Sequence, residues 1–179
     1  MRRRRSRSPD TFPMLKMVRH ALELSTQTPR QFLDLTSQVQ DQVTGAEVAD
    51  GLVIVNTLHT TCCLLVNEFQ HALIDDLARL MERLVGDAEA YKHNDPRYSD
   101  CERGNGAAHL RAGLLGQSVV VGICAGQLSL GRFQSILFAE WDGPRMRTVD
   151  IQIIGARYES RARPLEDCST SRVGRRGAA

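Results

Sequence analysis

Gly51-Leu52-Val53-Ile54-Val55-Asn56-Thr57-Leu58 is short, apolar and rich in β-branched residues. After His59-Thr60-Thr61 a second such run follows, Cys62-Cys63-Leu64-Leu65-Val66. Apolar runs of this length, bounded by polar residues, are the mark of buried strands. Upstream, residues 14–25 read as a first strand closed by the turn signal Thr26-Gln27-Thr28-Pro29, and residues 32–35 as a short one. Thr36 is the candidate cap of a helix running to Val43 and stopping at Gly45.

Downstream the period changes. Leu73, Leu77, Leu80, Met81 and Leu84 fall on one stripe of an amphipathic helix over residues 70–85, with Asn67 as its start signal and Gly86 as its stop. Residues 87–106 are polar and aperiodic, a length that within a domain marks a functional or disordered loop. A short helix over 107–115 precedes strand-like runs at 119–124, 127–130, 134–141 and 148–154. Strands, a helical insert and strands again predict a single α+β domain, mostly antiparallel, with two or three helices. The 179 residues suit one domain, residues 14–157, between tails at 1–13 and 158–179.

The formal charge of +2 is unevenly spread. Residues 1–10 hold five arginines and one acid, and residues 156–179 hold six arginines and three acids. What remains has twelve basic and seventeen acidic side chains, a core of net −5. A nucleic-acid partner is therefore open to the tails alone and not to the domain, and an extension without a partner is the other reading of the tails. The arginines also leave a nuclear or organellar address open. No apolar run approaches the roughly 18 residues of a membrane span, and no apolar segment follows the first arginines, so a cytoplasmic protein without a membrane partner is expected. Five cysteines without a C-x-x-C suit neither a disulfide framework nor a zinc knuckle.

Four polar clusters stand beside the apolar elements: His59-Thr60-Thr61, Asn67-Glu68, Tyr91-Lys92-His93-Asn94-Asp95 and His109-Leu110-Arg111. Imidazoles from three segments have the chemistry of an open metal site, and separate structural histidines are the other reading that spacing leaves open. Gly104-Asn105-Gly106 ahead of a helix suits either an anion, with Arg111 adding charge, or a plain turn. P-loop, G-x-G-x-x-G and G-x-S-x-G patterns are absent, which argues against ordinary nucleotide hydrolases, dinucleotide enzymes and serine hydrolases of that type.

Ser118-Val119-Val120-Val121-Gly122-Ile123-Cys124-Ala125-Gly126, continuing through Gly131-Arg132-Phe133-Gln134, resembles the signature of the YjbQ (UPF0047) family, which ends in Gly-Thr-Trp-Gln. His59-Thr60-Thr61, Asn67-Glu68, His93-Asn94-Asp95, Ala108-His109-Leu110-Arg111 and Glu140 with Asp142-Gly143-Pro144-Arg145 match in order and spacing. The resemblance implies a homotrimer with histidines in a cleft near a subunit interface and a secondary, modest thiamine-phosphate synthase activity. That reaction joins a pyrimidine pyrophosphate to a thiazole phosphate and releases pyrophosphate.

Carried onto this chain, the resemblance assigns a divalent ion, zinc or magnesium, to His59, His93 and His109. Catalytic roles fall to Glu68, Arg111 and Gln134, and binding of a small phosphorylated ligand to Asn94, Asn105 and Arg132. Two departures stand out: Arg132-Phe133 replaces Thr-Trp, losing an indole donor and adding a long cation, and Arg111 replaces a lysine. They favour the alternative of a trimeric binding protein without catalysis.

Overall fold

Among the described residues there are eight strands and three α-helices: β1 (Leu15–Ser25), β2 (Gln31–Asp34), α1 (Thr36–Ala46), β3 (Val48–Thr57), β4 (Cys62–Asn67), α2 (His71–Leu84), α3 (Gly106–Leu115), β5 (Ser118–Cys124), β6 (Gln127–Leu128), β7 (Ser135–Glu140) and β8 (Met146–Arg157). The structure is a computed structural model and describes residues 15–157; the basic tails expected at 1–13 and 158–179 lie outside the described residues. The expected single α+β domain with antiparallel sheets is what the chain forms.

Two sheets face each other. The larger has the order β1-β8-β3-β5-β6, the smaller β2-β7-β4, and every pairing in both is antiparallel. Between them lies the main core: Val53 and Val55 of β3, Val121 and Ile123 of β5, and Val149, Ile151 and Ile153 of β8 meet Cys62, Leu64, Ile136 and Phe138 of the smaller sheet. Val39 and Val43 of α1 close its side. On the far face of the smaller sheet, Cys63, Ala139 and Trp141 pack against Met81 of α2 and Ala108 and Ala112 of α3. The small residues of α3 let that helix approach closely enough to cover the indole.

The helix starts differ from the sequence reading in a consistent way. Asp34, two residues before Thr36, accepts the Thr36 N–H at 2.8 Å and the Thr36 hydroxyl at 2.5 Å. Thr36 in turn accepts the Ile136 N–H at 2.9 Å, tying the helix to β7. For α2 the cap is Gln70, whose Oε1 accepts the Leu73 N–H at 2.8 Å, and not Asn67, which lies in β4. The α2 stripe is only half covered: Met81 is buried, whereas Leu80 and Leu84 are exposed. The outer face of the larger sheet is open too, with Leu15, Met17, Leu52 and Val120 exposed on it.

Gly51 of β3 and Gly155 of β8 are cross-strand partners beside a register shift at Val48/Asp50. A Cβ on Gly155 would stand 2.3 Å from the Asp50 carbonyl oxygen, a backbone atom that has no rotamer by which to move away. Gly155→Ala is therefore expected to lower stability by about 1–3 kcal/mol in denaturant titration. Gly113→Ala, on α3 with nothing within 4 Å, should instead gain about 0.5–1 kcal/mol.

Candidate functional site

β7 runs out of the smaller sheet at Glu140, and after five residues the chain re-enters the larger sheet as β8. Glu140 is fully buried, and every direction around its carboxylate is filled. Arg147 donates Nε to Oε2 at 2.5 Å and NH2 to Oε1 at 2.7 Å, a two-pronged pairing. The backbone N–H groups of Trp141 and Asp142 reach Oε1 at 3.1 and 2.9 Å, and the Thr26 hydroxyl reaches Oε2 at 3.4 Å. Burial pushes the carboxyl up, but Arg147 and the Asp142 N–H outweigh it and hold Glu140 below its ordinary value. Arg147 also donates to the Thr61 hydroxyl at 3.0 Å. Burial, with the Glu140 charge beside it, pushes the neighbouring Cys62 thiol up to about 12. Cys63 is pushed up to about 11 by burial and accepts the Trp141 indole N–H at 3.3 Å. Neither cysteine is a thiolate near neutral pH, so both act as small core groups.

The Asp142 N–H bond to Glu140 fixes where the Asp142 side chain points. Its Oδ2 accepts Asn105 Nδ2 at 3.0 Å and Arg145 NH2 at 3.1 Å, and Arg103 lies 3.9 Å away. Asn105 stands at the start of α3, where its carbonyl accepts the His109 N–H at 3.3 Å. One turn into the helix, His109 meets His93 edge to face, with ring centroids 4.8 Å apart. His93 sits on a single 3-10 turn at Lys92–Asn94 in the long polar loop. The next residue, Asn94, places its Oδ1 2.8 Å from the Gly106 N–H and so caps α3 from outside. A Cβ on Gly106 would stand 2.9 Å from that oxygen and 3.0 Å from Tyr91 Cβ, which is why glycine occupies the helix start.

His93 Nε2 is buried and has no partner. Burial lowers the pKa of His109, the adjacent His93 adds to this, and Asp142 opposes it. This cluster therefore holds an imidazole whose pKa is lowered, an unsatisfied ring nitrogen and a carboxylate flanked by two guanidinium groups. Both guanidinium groups are directed at the Asp142 carboxylate.

Of the residues singled out from the sequence, His93, His109, Asn94 and Asn105 come together here. His59 stands on the approach to β4, where its Nε2 accepts the Thr148 N–H at 2.8 Å and its pKa is lowered by burial and by Arg147. Arg111 is 1% exposed, a departure from the anion-facing side chain expected. It donates Nε and NH2 to the Val85 carbonyl at 3.1 and 2.6 Å, reaches Asp87 at 2.9 Å and lies over the Trp141 ring. Its fork thus closes the C-terminal end of α2. Glu68 is exposed just past β4. Gln134 accepts the Gly131 N–H at 2.7 Å and lines an open groove of about 550 Å³ with Thr36, Gln40 and Leu130, and Arg132 lies over the Phe133 ring.

Pairing register divides these residues into two groups. Cys62 is opposite Glu140 and Asn67 opposite Ser135. His59, which precedes Cys62, thus belongs to the histidine end of the smaller sheet, and Glu68, Arg132 and Gln134 to the other. Strand rise makes that separation about 17 Å along β7. Asp142, Arg145, Glu140 and Arg147 are not among the site residues expected from the sequence, since a strand end gives no periodic signal for them.

A divalent ion fits poorly within one chain. Among the described residues no group of three His, Cys, Asp or Glu side chains is arranged to hold one. His93 and His109 supply two imidazoles, where open zinc sites take three protein ligands. His59 Nε2 is already occupied, and the oxygen that a harder ion would need, on Asp142, is engaged by Asn105 and Arg145.

Residues 20–156 match the family model described as UPF0047 protein YjbQ-like. The chain belongs to this family. A UPF0047 protein of Archaeoglobus fulgidus is 43% identical over 135 residues, covering 74% of this chain and all of the relative. YugU of Bacillus subtilis is 30% identical over 134 residues, 75% of this chain and 97% of its own length. Among solved structures, a YbjQ-like protein of unknown function from Sulfolobus solfataricus superposes with a TM-score of 0.74 at 27% identity, covering 79% of this chain and 99% of the other. A hypothetical protein from Aeropyrum pernix gives 0.70 at 33% identity, with coverage of 77% and 98%. The UPF0047 domain is therefore residues 20–156 at least, and no helix among the described residues is long and apolar enough to cross a membrane.

Two outcomes follow from the buried pair and the histidines. Glu140→Gln strands the Arg147 cation in the interior and should cost about 3–5 kcal/mol of unfolding free energy. His59 and His109 both titrate below the ordinary 6.5 when folded. The unfolded chain then binds more protons just under that pH, so stability is complete above 6.5 and falls as pH drops through the folded values. Denaturant midpoints measured from pH 7.5 to 5 should decline, and His109→Gln should flatten part of the slope.

Proposed function

We propose that this UPF0047 protein binds a small phosphorylated ligand in the pocket of His93, His109, Asn105, Arg103 and Arg145, and that a modest pyrophosphate-releasing transfer of the thiamine-phosphate synthase type accompanies that binding. The observation that carries the reading is the buried, unpartnered Nε2 of His93 beside a histidine kept neutral by its surroundings. An orphaned ring nitrogen in a dry position is costly unless something meets it. A phosphate ester brings oxygens for an N–H donor and charge for the two arginines. In a transfer step the same groups would stabilise charge developing on departing pyrophosphate. As the thiazole nitrogen lone pair forms the new C–N bond and the C–O bond to pyrophosphate breaks, the His109 ring N–H would donate a hydrogen bond to the departing pyrophosphate. Arg111 has no part in this reading, since its donors serve Val85 and Asp87.

The assembly proposed is a homotrimer. Two features support it: the open apolar face of the larger sheet, and the separation of Glu68, Arg132 and Gln134 from the histidines. If all these residues serve one ligand, a neighbouring copy must bring the second group to the first. Exposed Leu15, Met17, Leu52 and Val120 are the kind of surface that assembly removes from water.

The test is pyrophosphate binding by calorimetry, together with pyrophosphate release from a hydroxymethylpyrimidine pyrophosphate and a thiazole phosphate. His93→Ala with His109→Ala should weaken binding about ten- to hundredfold and remove turnover, while Arg132→Ser changes affinity less. Unchanged affinity in the double variant would overturn the site. Light scattering should give three copies of the 19.9 kDa chain, and a monomer would overturn the trimer.

A further inference from the structure

The larger sheet ends differently on its two sides. β6 closes one side with two residues, whereas β1 closes the other with eleven. β1 pairs with β8 residue by residue from Leu15 to Ser25 without a shift in register, and it contains no proline. Among the described residues no strand lies on its other side. Such an edge offers a row of unpaired N–H and C=O groups, which folded proteins ordinarily blunt with a short strand, a bulge or a proline. The smaller sheet does so: β2 has four residues, and β4 gives its Leu64 N–H to the Gly116 carbonyl at 3.1 Å. The β1 edge is long and regular instead.

Its side chains decide what can pair there. Met17, Arg19, Ala21, Glu23 and Ser25 stand exposed on the outer face, while Val18, Leu22 and Leu24 pack toward the core. Arg19 donates Nε to Asp150 Oδ1 at 2.6 Å, which leaves its terminal nitrogens to reach a second carboxylate. Glu23 has no ion pair among the described residues. An antiparallel second copy of β1 keeps both cores on one side only if outward residues stand opposite outward ones. Centring that pairing on Arg19 or Glu23 sets like charges together, and centring it on His20 or Leu22 sets each of these two charges against an uncharged side chain. Centred on Ala21, each Arg19 meets Glu23 of the other copy, and Val18 meets Leu24.

We propose that β1 is a self-complementary edge by which two copies of this chain join antiparallel about a two-fold axis at Ala21, merging their larger sheets into one. Backbone hydrogen bonds supply the attraction, and two Arg19–Glu23 pairs related by the axis select the register. Ala21 suits the axis, where two identical side chains must stand opposite each other. This edge is distinct from the outer sheet face assigned to the trimer, and the pairing holds whether one copy or three make up the unit that pairs. A single edge-to-edge contact falls below the roughly 1,200 Å² of a standard interface, so the association is weak and grows with concentration.

Two measurements on the full chain test this. Residues opposite each other at the axis have Cα atoms about 4.5–5.5 Å apart, within reach of a disulfide. Mild oxidation of A21C should therefore give a disulfide-linked pair of chains on a non-reducing gel, about tenfold or more above the parent. In E23C the two thiols stand four residues out of register, about 13 Å apart, and should link no more than the parent does. Sedimentation velocity over about a hundredfold range of concentration should show the parent rising in mass above the unit seen at dilution. R19E and E23R should each stay at that unit, and an equal mixture of the two should rise again, because each carries the charge that the other lacks. E23R leaves the Arg19–Asp150 pair intact, so its loss of association is not a loss of fold. The pairing is overturned if A21C links no better than E23C, if the parent shows no rise, if E23R associates as the parent does, or if the mixture stays apart.

Discussion

The buried pairing of Glu140 with Arg147 is the joint on which this architecture turns. Glu140 ends the central strand of the smaller sheet, and Arg147 opens the long strand of the larger one. A carboxylate taken fully out of water is tolerated only if its lone pairs and its charge are met. Here they are met by Arg147, by two backbone N–H groups and by the Thr26 hydroxyl. Those partners come from β8, from the turn itself and from the end of β1. Breaking the pair would release both sheets and the turn between them.

The same joint aims the pocket. The Asp142 N–H is held by Glu140, and the Asp142 carboxylate meets Asn105 at the head of α3. That contact sets the helix position, and the helix carries His109 to His93. Gly143 belongs to this geometry, since a Cβ there would stand 2.4 Å from the Thr28 carbonyl oxygen and 2.9 Å from Glu140 Cγ. A side chain in the turn would push the joint apart before it touched the histidines. Structural and functional demands on the 140–147 segment are therefore inseparable.

Much of the sheet framework was legible in the sequence because buried strands are self-announcing: β3, β4, β5 and β7 are runs of Val, Ile, Leu and Cys with abrupt polar ends. Helix starts were less so. Asp34 outcompetes Thr36 because a carboxylate two residues upstream can take both the N–H and the hydroxyl, which leaves Thr36 free to accept from β7. The apolar stripe of α2 identified a helix correctly, yet Met81 on it is buried whereas Leu80 and Leu84 are exposed. Periodicity reports that a face is apolar; it carries no information on what covers that face.

The site was legible through residue types and only half legible as geometry. His93 and His109 meet because the long loop folds back on α3 through the Asn94 cap, a contact no spacing rule contains. Arg111 shows the opposite case. Two residues beyond His109, it turns to the opposite side of α3, where the last carbonyl of α2 and the Trp141 face take its charge. A cation next to a histidine in sequence thus faces away from it in space, and an arginine suits that buried post better than a lysine would. Its planar fork bonds a carbonyl and a carboxylate at once while lying flat on an indole, whereas an ammonium would arrive with a hydration shell to lose. The charges beside the histidines belong instead to Arg103 and Arg145, which the chain's return at Asp142 brings against that carboxylate, and not to a neighbour of His109 in sequence.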